Sequence, residues 1–152
     1  MPRLPVTFQV SGVPAPQGSK TGIVVGDRAV VVEGKGAGRD RFRQWRSDVR
    51  HACDAAIDTP IEGPVHVDIN FYMPRPKSHY RTGRNAHLLR DQAPGWHTSK
   101  PDIDKLARAV LDAITGSAIH DDSQVARMRV GKQYADDRRV GATITVDQLT
   151  RK

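Results

Sequence analysis

The segment Pro101-Asp-Ile-Asp-Lys-Leu-Ala-Arg-Ala-Val-Leu-Asp-Ala-Ile-Thr-Gly116 carries a helix, and the rest of the architecture is arranged around it. Ile103, Leu106, Ala107, Val110, Leu111 and Ile114 recur at spacings of three and four, which puts them on one stripe of a 3.6-residue helix. Gly116 is the expected stop. Upstream, Val65, Val67, Ile69, Phe71 and Met73 alternate with polar residues, the period of a strand with one buried face. Downstream, Val125–Tyr134 and Ala142–Gln148 read as two closing strands.

Towards the N-terminus, residues 7–13 read as a first strand and Pro14–Lys20 as turn material. Ile23–Val25 and Ala29–Val32 flank Gly26-Asp27-Arg28 and predict a β-hairpin. Gly34-Lys-Gly-Ala-Gly38 reads as a flexible link. Phe42, Trp45, Val49, Ala52, Cys53, Ala56 and Ile57 then form a second helical stripe, with arginines 39, 41, 43, 46 and 50 on the other face and Pro60 beyond its end. The order predicts an α+β fold: one domain over residues 1–152, with a mixed sheet packed by two main helices.

The bulk composition narrows the function. The 152 residues carry a net charge of +7, with a pI near 10.0, a balance that favours a polyanionic partner such as nucleic acid. Between Pro74 and Lys100 lie Arg75, Lys77, Arg81, Arg84, Arg90 and Lys100 against Asp91 alone, together with His79, His87 and His97. A basic, flexible loop at about 74–99 is therefore expected, mobile without DNA, and long loops in small domains are often functional. No apolar run approaches the roughly 18 residues of a membrane span, and no secretory signal is evident at the N-terminus. The single Cys53 lies on an apolar stripe, which fits a small core residue in an intracellular protein.

Two acidic pairs stand out against the basic background: Asp102 with Asp104 at the helix start, and Asp121 with Asp122 on the turn before the next strand. Several carboxylates on two segments suit Mg²⁺, an ion that takes oxygen ligands and activates water for phosphodiester cleavage. The same residues also suit a helix cap and a plain turn, so both readings stand on pattern alone. The helix is roughly 18 Å long, and the pairs meet only if the following segment runs back beside the helix start.

Other chemistries are excluded. An EF-hand loop opening at Asp102 needs Gly at its sixth position and Glu at its twelfth, where the chain has Ala107 and Ala113. One Cys and six scattered His do not make a zinc site, and Gly34–Gly38 lacks the order of a P-loop. Pro101-Asp102 with Asp122-Ser123-Gln124 resembles the PD-(D/E)xK nuclease pattern, but Gln124 stands where its lysine belongs.

Lys100-Pro-Asp-Ile-Asp-Lys-Leu-Ala-Arg108 through Gly116, followed by Ile119-His-Asp-Asp-Ser-Gln-Val125, closely resembles the RusA family of Holliday-junction resolvases, found largely in bacteriophages and prophages. Val10–Lys20, Phe71–Lys77 and Gly131–Tyr134 extend the likeness over most of the chain. The resemblance implies a RusA-like fold and a cytoplasmic homodimer that resolves four-way DNA junctions by paired nicks with Mg²⁺ (or Mn²⁺) and leaves 5′ phosphates. It implies Asp102, Asp104 and Asp122 as catalytic carboxylates, with Asp121 as a further metal ligand. A family lysine falls on Arg108, which keeps the charge but is no proton carrier and suits a phosphate or transition-state contact. Where the family usually has Asn, this chain has Lys105. Lys20, Arg75, Lys77, Lys100, Arg108 and Lys132 are the expected DNA contacts. The alternatives are a nuclease of broader specificity for flaps and D-loops, and a non-catalytic junction-binding protein.

Overall fold

In the computed structural model the backbone is described for residues 3–17, 21–25, 28–32 and 37–150. The turn at Gly26-Asp27, most of the Gly34–Gly38 link and Lys20 lie outside the described residues. The strands are β1 (Val6–Ser11), β2 (Thr21–Val25), β3 (Arg28–Val32), β4 (Val65–Met73), β5 (Val125–Tyr134) and β6 (Gly141–Gln148), and the helices are α1 (Ala37–Ala56) and α2 (Ile103–Ile114). β2 and β3 pair antiparallel in the expected hairpin. The other strands form a four-stranded sheet in the order β1-β6-β4-β5. It is mixed: β6 runs antiparallel to both β1 and β4, and β5 runs parallel to β4.

The alternation in β4 does what its period requires. Val65, Val67, Ile69 and Phe71 are fully buried, and the residues between them are half-buried. They meet Trp45, Val49 and Cys53 of α1 and Leu106, Val110 and Ile114 of α2 in one core. Each large apolar side chain taken out of water there contributes about 1.5–3 kcal/mol. Burial also pushes the Cys53 thiol above its ordinary value, with a Ser117 hydrogen bond opposing, as suits an inert core residue. α1 begins at Ala37 and so absorbs the end of the stretch read as a link.

One connection governs everything that follows. β4 leads through the basic loop into α2, and α2 leads into β5, which lies parallel beside β4. A crossover between parallel strands returns the helix antiparallel to both of them. The start of α2 is therefore at the carboxyl ends of β4 and β5, and its end is at their amino ends. Gly116, at φ 87°, turns the chain out of α2.

The basic loop folds back on itself and onto the sheet. It contains two short 3-10 turns, Lys77–His79 and Gly83–Asn85, and a bridge between Tyr80 and Leu89. Its anchor is Arg75, whose side chain is only 4% exposed. The guanidinium donates to both Asp136 carboxylate oxygens at 2.6 and 3.2 Å and to the Pro94 carbonyl at 2.7 Å, and it lies 4.3 Å from the centre of the Tyr134 ring. Its donors are thus engaged within the protein, which makes it a clamp rather than a free phosphate contact. Hydrogen bonding to Arg75 holds the Asp136 carboxyl below its ordinary value. A depressed folded value means that the stabilisation is complete above the ordinary value of 3.8 and is lost as pH falls through the folded value. Asp136→Ala is expected to cost about 2 kcal/mol at neutral pH, as for a charge-assisted pair with one half-exposed member. That corresponds to roughly 4–8 °C in melting temperature. Melts at stepped pH should show the gap between variant and parent closing only in acid; a gap that stays constant down to strong acid would exclude the ion pair as its source.

Candidate active site

Asp102 occupies the N-cap position of α2, with extended backbone at φ −68° and ψ 142°, but its side chain makes no capping hydrogen bond. Asp104 sits in the first turn. The cap reading therefore does not account for Asp102. Its carboxylate has one charged neighbour among the described residues, Lys105 Nζ at 3.8 Å. Asp102, Asp104, Lys105 and Arg108 are all exposed, and Arg108 follows Asp104 by one helical turn, on the same face.

The backbone leading into Asp102 is held from the sheet. Lys132, near the carboxyl end of β5, donates through Nζ to the carbonyls of Ser99 and Pro101, both at 2.7 Å. Two of its three protons are thus directed at the segment that carries the acidic pair. Lys77, Lys100 and Arg108 make no side-chain hydrogen bond or ion pair among the described residues, so their charges face outward. Arg81 pairs with Asp91 inside the loop at 3.1 Å.

Asp121 and Asp122 are differently placed. Asp121 caps a short 3-10 turn, Asp122–Gln124, in a reciprocal arrangement. Its carboxylate accepts from the Ser123 N–H, and Gln124 Oε1 accepts from the N–H groups of His120 and Asp121 at 2.6 and 3.1 Å. Gln124 Nε2 donates to the Ile61 and Gly63 carbonyls, which fixes the turn to the chain entering β4. Gln124 thus has a structural role where the PD-(D/E)xK pattern has a catalytic lysine. The hydrogen bond with Asp122, and then those from Ser123, hold Asp121 below the ordinary value. Asp122 is raised by the same bond to Asp121, by desolvation, and by the charges of Asp121 and Asp112.

The role of Asp112 locates the second pair. Asp112 lies ten residues beyond Asp102, about 15 Å along the helix, so Asp122 faces the far end of α2. The topology requires this, because β5 starts where α2 ends. Within one chain the acidic residues therefore form two separate pairs, and no group of three or more His, Cys, Asp or Glu is placed to hold a metal ion among the described residues. Asp112 escaped the sequence reading, although its spacing of eight from Asp104 put it on the same helical face.

The start of α2 borders a cleft of about 710 Å³ at the carboxyl end of β4. His97 is a further member of this region that sequence reasoning passed over, submerged among the histidines of the loop. No helix is long and apolar enough to cross a membrane among the described residues.

Residues 25–146 match the family model described as Endodeoxyribonuclease RusA. The chain is also similar to the uncharacterized protein YqaN of Bacillus subtilis (strain 168), at 31% identity over 144 residues, covering 91% of this chain and 94% of that protein.

Proposed function

Because the chain belongs to the RusA endodeoxyribonuclease family, we propose that it is a Mg²⁺-dependent resolvase that cuts four-way DNA junctions by paired nicks, with Mn²⁺ able to substitute. The observation that carries this reading is the pair of exposed carboxylates, Asp102 and Asp104, at the carboxyl ends of two parallel strands. Open sheets tend to bind ligands at such ends. Bound there, Mg²⁺ would supply an acidified water and neutralise charge on the leaving oxygen.

The donor set of one chain is small for this task, since no group of three or more His, Cys, Asp or Glu is placed to hold a metal ion among the described residues. A homodimer supplies the rest. β5 is an edge strand of the sheet, its mid-strand Met128 is 43% exposed, and α2 packs beside it. A two-fold axis across this edge lays each element antiparallel to its copy, because an isologous interface pairs unlike ends. The start of one α2 then faces the partner's turn before β5. Each site in this arrangement takes Asp102 and Asp104 from one chain and Asp122, supported by Asp121, from the other. Two such sites suit two nicks in one junction.

The remaining roles follow from what each residue has free. Arg108 presents its guanidinium to a phosphate beside Asp104. Lys77 and Lys100 contact the backbone of the DNA arms, and Lys20 belongs with them as a proposed contact. Lys132 positions Asp102 through Pro101. The test is a synthetic four-way junction incubated with the protein and Mg²⁺. Symmetric nicks in opposing strands, with a linear duplex of the same sequence left at least about 100-fold less cut, are expected. That ratio corresponds to about 2.7 kcal/mol of discrimination. Equal cutting of the duplex would overturn junction selectivity, and binding without cutting in either Mg²⁺ or Mn²⁺ would overturn the enzymatic reading.

A further inference from the structure

The lining of the cleft beside Asp102 joins two kinds of residue. Val13, Pro14, Met73 and Pro74 are apolar and stiff. Arg39, Arg41, Lys100 and Lys105 are cationic. The first turn of α1 reaches the cleft through Gly38 and Arg39, and helix starts favour anions. His97, 8% exposed, also lines the cleft. Its Nε2 lies 3.4 Å from Ser99 Oγ, its ring packs 5.0 Å from that of Tyr134, and its buried Nδ1 has no partner among the described residues.

A phosphate alone does not account for the apolar residues, and an apolar ligand does not account for four cations. A nucleotide satisfies both. The volume lies within the roughly 300–1,000 Å³ of clefts that enclose small ligands. We infer that this cleft receives one unstacked nucleotide of the strand being cut, next to the scissile phosphate, with its base on Val13, Pro14, Met73 and Pro74 and its phosphate against Arg39, Arg41 and Lys100. A base edge entering the cleft meets His97, a polar member of its lining. Burial, and next the charge of Lys132, lower the proton affinity of His97, so the ring meets the base as a neutral donor or acceptor.

This inference rests on the nuclease reading and gives it a source of selectivity. Taking a base out of a duplex is costly, and least so where pairing is already disturbed. At a branch point that cost is low, whereas in continuous duplex it is paid in full. The cleft therefore admits DNA near junctions and disfavours uninterrupted helix, and its contacts with the base set which nucleotide stands beside the cut.

The test uses four-way junctions carrying 2-aminopurine singly at each of the three nucleotides on either side of the mapped cut, with Ca²⁺ in place of Mg²⁺ during the measurement. Binding is expected to raise the fluorescence several-fold at one of these positions. Val13→Trp, which fills the mouth at a residue 54% exposed in the parent, is expected to abolish that rise with its melting temperature unchanged. A junction that is cut without a rise at any position overturns this inference and leaves the nuclease reading standing. A rise that persists in Val13→Trp also overturns it. Absence of both cutting and binding overturns the two together.

Discussion

Asp104→Asn is expected to lower cleavage of a four-way junction in Mg²⁺ by on the order of 10³-fold while junction binding stays within about threefold. The size follows from what is removed: metal assistance at a phosphoryl oxygen contributes several kcal/mol, and each 1.36 kcal/mol is a factor of ten. Binding survives because affinity for DNA comes from the cations, and the substitution removes a negative charge beside the phosphate. The helix survives as well, since Asp104 is exposed and makes no ion pair or side-chain hydrogen bond among the described residues. Its only structural contribution is a favourable charge in the first turn of α2, about 0.3–1 kcal/mol. Gel mobility and product mapping on one substrate separate the two effects. Loss of binding in parallel with cutting would show that Asp104 supports the fold rather than the chemistry. A variant that still cuts within about tenfold of the parent would remove Asp104 from the catalytic set.

What the sequence made legible was local. A period of 3.6 marked α2 and a period of 2 marked β4, and both stand where their apolar stripes placed them. The hairpin followed from two β-branched runs, and Gly116 marks the end of α2 through a positive φ that few other residues accept. Less legible was anything that depends on partners far apart in the chain. Arg75 looked like a phosphate contact because it is basic and sits in a basic loop, yet it is sealed against Asp136, 61 residues away. Lys132 looked the same, and it holds the Pro101 carbonyl from 31 residues away. Charge can be read from sequence, but its pairing cannot. Asp102 shows the converse. A cap and a free carboxylate are the same letter, and only the missing capping bond tells them apart. The largest gap was the direction of β5. Parallel pairing with β4 separates the two acidic pairs by the length of α2, and no periodicity records strand direction.

That separation gives the dimeric reading its sharpest consequence. Two variants, each inactive alone, are expected to recover cutting when mixed and allowed to exchange subunits: Asp102→Asn with Asp104→Asn in one chain, and Asp122→Asn in the other. If each site draws on both chains, a mixed dimer has one site with all the substitutions and one with none. The intact site carries Asp102 and Asp104 from the second chain and Asp122 from the first. Such a dimer nicks one strand of a junction but cannot make the paired second nick. Mixing equal amounts makes about half of all dimers mixed by random association of two-fold oligomers, so nicking should return to roughly a quarter of the parent's site count. If each site were built within one chain, both sites of the mixed dimer would be defective, and mixing would restore nothing. The exposure of the two pairs at opposite ends of α2 favours rescue. The form of the product adds a second check, since single nicks without resolved duplexes are expected. Fully resolved junctions from the mixture would show that the defects do not fall together in one site, and absence of rescue despite proven subunit exchange would return the catalytic set to the carboxylates of a single chain.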